Sequence, residues 1–184
     1  LAGSAEIVEG ARAVALPVSV TVSAAFGCPY EGEVSMDRLA WMLTEVAASA
    51  PDEIALADSI GVATPLDVRE RVALARDVIG DAPIGLRAHF HNTRNTGLAN
   101  AVAAVEAGVR VLDASLGGVG GCPFAPGATG NIPTEDLIYL LHRMGYETGV
   151  DLAGLTANVP WVEEALGHAV PGALARAGLF PQPA

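Results

Sequence analysis

His89-Phe90-His91 sets two imidazoles one residue apart at the end of an apolar run, and Cys122 and Asn131 follow in a stretch dense in glycine. Imidazole nitrogens and an amide oxygen are donors for a divalent cation. A thiol, with an ordinary pKa of about 8.5, can give or take a proton at neutral pH. Together these groups point to metal-assisted carbon–carbon chemistry more than to binding alone. The plainer alternative for the pair is one structural histidine and one at the rim. Asp58, closing the run Glu53-Ile-Ala-Leu-Ala-Asp58, offers a carboxylate for the same chemistry or for capping the turn after its strand. Glycines at 117, 118, 120, 121, 127 and 130 allow positive φ, close approach to a ligand and movement around Cys122. An inert buried thiol fits such a loop poorly. Asn131 directly precedes a helical pattern, where asparagine is also a common cap.

Such groups act only if regular elements aim them. Four β-rich runs occur: Val18 to Ala24, Glu53 to Asp58, Ile84 to His91 and Val109 to Ser115. Helical patterns fill the intervals. One is capped by Ser35 and runs to about Ser49; the next opens with Thr64-Pro65 and has Asp67 at its positive end. Leu98 to Ala107 stops at Gly108, and Pro133 to Met144 opens with Glu135 and Asp136 and stops at Gly145. A helix over about Ala5 to Ala13 precedes the first strand, and a helical tail follows the last unit. Repeated strand–helix units predict an α/β fold with a parallel sheet. Four units are half of a (β/α)8 barrel, so residues 1–184 are expected to form the C-terminal half of a TIM barrel with a helical tail. Four parallel strands leave two open edges, which calls for a partner half-barrel from elsewhere in the protein or from another chain. On the strand Ile84 to His91, alternation puts Arg87, His89 and His91 on one face at the end where barrel enzymes act. An inward Arg87 needs an anionic partner, and Asp113 on the last strand is a further candidate.

Composition narrows the class. The 184 residues are 51% hydrophobic and carry a net charge of −11, which argues against a nucleic-acid partner. No run approaches the roughly 18 apolar residues of a membrane span. Two cysteines make neither a disulfide framework nor a closed zinc site, so a reducing cytoplasm is the expected location.

Phe26-Gly-Cys-Pro-Tyr-Glu-Gly32, Asp58-Ser-Ile-Gly-Val-Ala-Thr-Pro65, His89-Phe-His91 and Gly120-Gly-Cys-Pro-Phe-Ala-Pro-Gly-Ala-Thr-Gly-Asn131 resemble the 3-hydroxy-3-methylglutaryl-CoA lyases, from about Val18 to near Leu155. These lyases share a barrel superfamily with isopropylmalate, homocitrate and citramalate synthases. The Gly-Gly-Cys-Pro stretch around Cys122 separates lyase from synthase. The resemblance implies that His89, His91 and Asn131 hold Mg²⁺ or Mn²⁺. It further implies that Cys122 is the catalytic loop thiol, that Asp58 and Glu135 take part in activity and that Ser59 contacts substrate. The implied reaction cleaves 3-hydroxy-3-methylglutaryl-CoA to acetyl-CoA and acetoacetate, with Asp58 first and His91 second as acceptor of the hydroxyl proton. Another 3-hydroxy-3-alkylglutaryl-CoA, a related synthase reaction, or a non-catalytic partner half-barrel are the alternatives. An acyl-CoA substrate and a homo-oligomer are expected. Two positions depart from the pattern. Asn92 stands where the lyases usually carry Asp and the synthases often carry Asn, and the family's first-strand Asp-Gly-Leu-Arg-Asp motif is absent from this sequence.

Overall fold

The structure, a computed structural model, describes residues 2–122 and 125–180, with only the backbone described at residues 2, 122 and 125–129. After helix α1 (Ala2–Ala13) come strand β1 (Ser19–Val22), the short strands β2 (Gly27–Cys28) and β3 (Gly32–Glu33), and helix α2 (Met36–Ala48). Strand β4 (Glu53–Asp58), α3 (Pro65–Ile79), β5 (Gly85–Phe90), α4 (Gly97–Glu106) and β6 (Val111–Asp113) complete the repeated units. A single 3₁₀ turn (Leu116–Gly118) leads into β7 (Gly121–Cys122) and β8 (Ala125–Thr129), then α5 (Thr134–Arg143), α6 (Leu152–Thr156), α7 (Val159–Leu166) and α8 (Leu174–Ala177).

Four strands form one parallel sheet in the order β1-β4-β5-β6. The order follows the chain without reversal. A doubly wound sheet reverses at its switch point, so this one is a barrel segment. Ile54, Leu56, Ala88 and Phe90 project from one face into a core shared with Leu39 and Leu43 of α2, Val68 and Val72 of α3, Ala101 and Ala104 of α4 and Leu137 of α5. The opposite face carries Glu53, Ala55 and Ala57, in register with Gly85, Arg87 and His89, and Asp113 in register with His89. Alternation between a helix-covered face and an inner face is what a strand in a barrel wall shows.

The helix ends follow from their capping residues. Ser35 accepts from the Arg38 amide at 3.2 Å, and Thr64 and Asp67 form a reciprocal capping box with Pro65 at the first helical position. Each such cap stabilises its helix by about 1 kcal/mol. Two antiparallel pairs, β2–β3 and β7–β8, fall where the sequence predicts only loop. They are short and rich in glycine and proline, so no alternation marks them.

Candidate metal centre

β5 delivers both histidines. Leu86, Ala88 and Phe90 take the core face, so Arg87 and His89 point to the open face, and His91 continues the alternation one residue past the strand. The segment carrying Asn131 comes alongside by backbone pairing. Asn92 donates to the Gly130 carbonyl at 3.1 Å, Ile132 donates to the Phe90 carbonyl at 3.2 Å, and His91 and Asn131 form an antiparallel bridge. Residues 40 positions apart are thereby neighbours. The rings of His89 and His91 lie edge to face with centroids 5.2 Å apart.

The electrostatics favour a neutral His91. Burial holds the His91 pKa below its ordinary value, and repulsion from His89 adds to the effect. His91 Nδ1 is buried without a hydrogen-bond partner, and so is Asn131 Oδ1. The amide nitrogen of Asn131 is committed, donating to the Val119 carbonyl at 3.1 Å, which leaves its oxygen as the free donor. Gly120, at φ 142°, has no room for a side chain, since a Cβ there would lie 2.5 Å from Asn131 Nδ2. Two adjacent unpartnered lone-pair donors with a second imidazole beside them fit a divalent cation. Among the described residues no three His, Cys, Asp or Glu side chains gather into a metal-binding group; the donors here are two imidazoles and an amide.

Behind His89 lies a charged network. The Arg87 guanidinium donates to Glu53 at 2.7 Å and to Asp113 at 2.6 Å, and the other Asp113 oxygen lies 3.7 Å from His89 Nδ1. These are the anionic partners that an inward Arg87 requires.

The remaining predicted residues do not all join this group. Asp58 is in register with Phe90, on the helix-facing side of the sheet, and is buried. Its two oxygens accept from the amides of Val62 at 2.9 Å and Ala63 at 3.0 Å. Burial raises its pKa, opposed by those amides, by Gly61 and by Arg94. Ser59 donates to the Ser23 carbonyl at 2.5 Å. Glu135, fully buried in the first turn of α5, accepts from the Gly117 amide at 3.0 Å rather than reaching the histidines, and burial raises its pKa. The side chain of Cys122 lies outside the described residues; its backbone is in β7, paired with β8 in the segment leading to Asn131. Asn92 caps the start of α4, its oxygen accepting from the Gly97 amide at 3.1 Å. Asp would serve that bond equally.

Two rim residues escaped sequence reasoning. Asn100, wholly buried in α4, donates to the Ala63 carbonyl at 2.9 Å, and Arg94 donates to the carbonyls of Ile60 and Gly61 at 2.8 and 3.2 Å. Both tie the loop after β4 to the β5–α4 unit. A lone asparagine inside the alanine-rich pattern Leu98 to Ala107 was the available signal for the first.

Comparison with known proteins agrees with this architecture. The chain is 44% identical over 169 residues to (R)-citramalyl-CoA lyase of Chloroflexus aurantiacus, covering 91% of this chain and 52% of that protein. It is 42% identical to the mitochondrial hydroxymethylglutaryl-CoA lyase of Gallus gallus, covering 88% of this chain and 53% of that one. A solved structure of an HMG-CoA lyase from Acenitobacter baumannii, in complex with coenzyme A and 3-methylmalate, superposes with a TM-score of 0.86 at 43% identity, covering 99% of this chain and 60% of that one. The chain thus spans about half the length of the curated relatives it matches. A family model described as HMGL-like matches residues 3–160, and the chain belongs to that family.

Proposed function

We propose that the protein is a metal-dependent carbon–carbon lyase that cleaves 3-hydroxy-3-methylglutaryl-CoA to acetyl-CoA and acetoacetate. The observation that carries the reading is the pair of buried, unpartnered donors, His91 Nδ1 and Asn131 Oδ1, brought side by side next to His89. His89, His91 and Asn131 would hold Mg²⁺ or Mn²⁺, with the Asp113 carboxylate 3.7 Å from His89 Nδ1. When bound, a hard divalent cation acidifies the substrate's tertiary hydroxyl and fixes its geometry.

In the cleavage, the bond between the acetyl-CoA methylene carbon and the hydroxyl-bearing carbon breaks. The hydroxyl loses its proton and becomes the ketone of acetoacetate, and the electron pair passes to the methylene carbon as a thioester enolate. Cys122 is the proposed acid that returns a proton to that carbon, on the strength of its glycine-rich setting. The hydroxyl proton passes to a base, for which the sequence offers Asp58 first and His91 second. Asp58, on the helix side with both oxygens engaged, is assigned to holding the rim loop, ahead of the proton-accepting part expected from the sequence.

The identity to a (R)-citramalyl-CoA lyase supports a second substrate of the same class. Cleaving the equivalent bond in citramalyl-CoA, which is one methylene shorter, releases acetyl-CoA and pyruvate. The test offers both thioesters to the intact protein with Mn²⁺ and with chelator, and separates the products. Metal-dependent acetoacetate is expected; pyruvate instead selects the shorter substrate, and no acetyl-CoA from either overturns the lyase reading.

A further inference from the structure

Acidic residues in the first turn of a helix ordinarily serve the positive end of that helix. In α5 the two such carboxylates also reach other segments. Asp136 accepts from the amide of Ala173 at 2.9 and 3.1 Å and from that of Leu174 at 2.7 Å, gripping the chain where α8 begins. Glu135 accepts from the Gly117 amide on one oxygen, while its other oxygen is so close to Gly172 that a Cβ there would lie 2.1 Å away. Gly172 in turn donates to the Gly117 carbonyl at 3.0 Å. A Cβ on Gly117, at φ 69°, would meet Val170 at 2.6 Å. The tail before α8 is shaped by its own bonds: Val170 donates to Glu163 at 2.9 Å, and Arg176 donates to the carbonyls of Val170 and Pro171 at 2.8 and 3.2 Å.

The 3₁₀ turn under this tail leads directly into the segment on which Asn131 hangs. Ser115 donates to the Val119 carbonyl, the same oxygen that receives the Asn131 amide, and Gly130 donates to the Gly120 carbonyl at 2.9 Å. The Asn131 backbone is pinned to β5 by its bridge to His91, while its side chain is held through Val119 by a turn that the tail and the two α5 carboxylates hold from the other side.

We infer that Asp136 is a positioning residue, which clamps residues 170–174 over the 3₁₀ turn and through it sets the Asn131 side chain in the metal centre. The inference rests on the proposed metal reading for its functional meaning, while its structural content stands apart from it. The brace links the helical tail to the metal centre by an unbroken series of hydrogen bonds and close contacts. Removing the Asp136 carboxylate frees the Ala173 and Leu174 amides, loosens the tail, and lets the turn and the Asn131 side chain drift. Asparagine keeps an acceptor at the same place and retains most of the clamp.

The test compares the intact protein with Asp136→Ala and Asp136→Asn by amide hydrogen exchange and by Mn²⁺ titration, with His91→Ala as the control for the metal centre. In Asp136→Ala, exchange at the Gly117, Gly130 and Gly172 amides is expected to be about tenfold faster while Leu56 and Ala88 in the central strands stay protected. Mn²⁺ affinity is expected to fall about tenfold, with Asp136→Asn close to the unaltered protein. Unchanged exchange at Gly117 and Gly130 in Asp136→Ala, with the central strands intact, overturns the brace whatever the metal does. A Mn²⁺ affinity unmoved by His91→Ala overturns the metal reading instead, and leaves the exchange result to decide the brace. Asp136→Asn exchanging as fast as Asp136→Ala also overturns it, because the acceptor would then be irrelevant.

Discussion

A buried polar atom without a hydrogen-bond partner costs about 1–3 kcal/mol, so side chains seldom arrive there by accident. His91 Nδ1 and Asn131 Oδ1 are both left in that state, whereas Asp58, equally buried, has an amide for each oxygen. Arg71 Nε, Asn100 Oδ1 and Glu135 Oε1 share that state, so what marks His91 and Asn131 is that they are bridged to each other beside a second imidazole, whereas Asp58 is satisfied within the fold. The contrast yields a prediction for Asp58→Asn. An amide there can accept one of the two N–H groups and turns its own NH₂ toward the other, leaving the loop 58–63 under-bonded. The expected result is a loss of about 1–3 kcal/mol in unfolding free energy, read by urea denaturation, with Mn²⁺ binding retained. Turnover lost outright at unchanged stability would restore Asp58 as the acceptor of the hydroxyl proton.

Among the elements, the helices and the sheet were the legible part, because their signals are local. Ser35, Thr64-Pro65 and the glycines after the helices mark ends within a few residues, and the strand Glu53–Asp58 matches its apolar run. The pairing of His89 and His91 on one face followed from alternation alone. What local sequence does not encode is where a side chain goes once elements pack. Glu135 reads as a residue near the catalytic loop, and packing turns it toward Gly117 at the start of that glycine-rich stretch and toward the tail, which no local pattern encodes. Asp58 ends the correct strand, yet register with Phe90 gives it the opposite face from the histidines. Glu135 makes this measurable through pH. Burial raises its folded-state pKa above that of the unfolded chain, opposed by backbone hydrogen bonds and reinforced by Asp136. The protonated form therefore favours the fold. That contribution is complete below the ordinary glutamate range and is lost as pH rises through the raised folded value. Glu135→Gln removes the titration, so urea midpoints of the variant should fall less across that window than those of the unaltered protein. Parallel pH profiles for the two would show that Glu135 ionises without cost.

Over the whole molecule, the sheet is finished on one face and open on the other. Helices cover Ile54, Leu56, Ala88 and Phe90, while Arg87, Glu53, Asp113 and His89 stand partly exposed on the other face. Among the described residues β1 and β6 each pair on one side only. Beside β6 a cleft of about 580 Å³ is lined by Val105, Val109, Leu137 and Ile138 among others, and Val111 of β6 is 36% exposed. Parallel strands with free edges and an apolar flank seek another strand. For a species of these 184 residues alone, that surface is expected to drive association. Sedimentation at micromolar concentration should then show a mass above the 18.7 kDa of one chain. Association through the edges should weaken when Val111 is replaced by lysine, because a charge beside a strand edge opposes pairing there. A stable monomer, or an oligomer indifferent to Val111→Lys, would mean that the β6 edge is not where the molecule is completed.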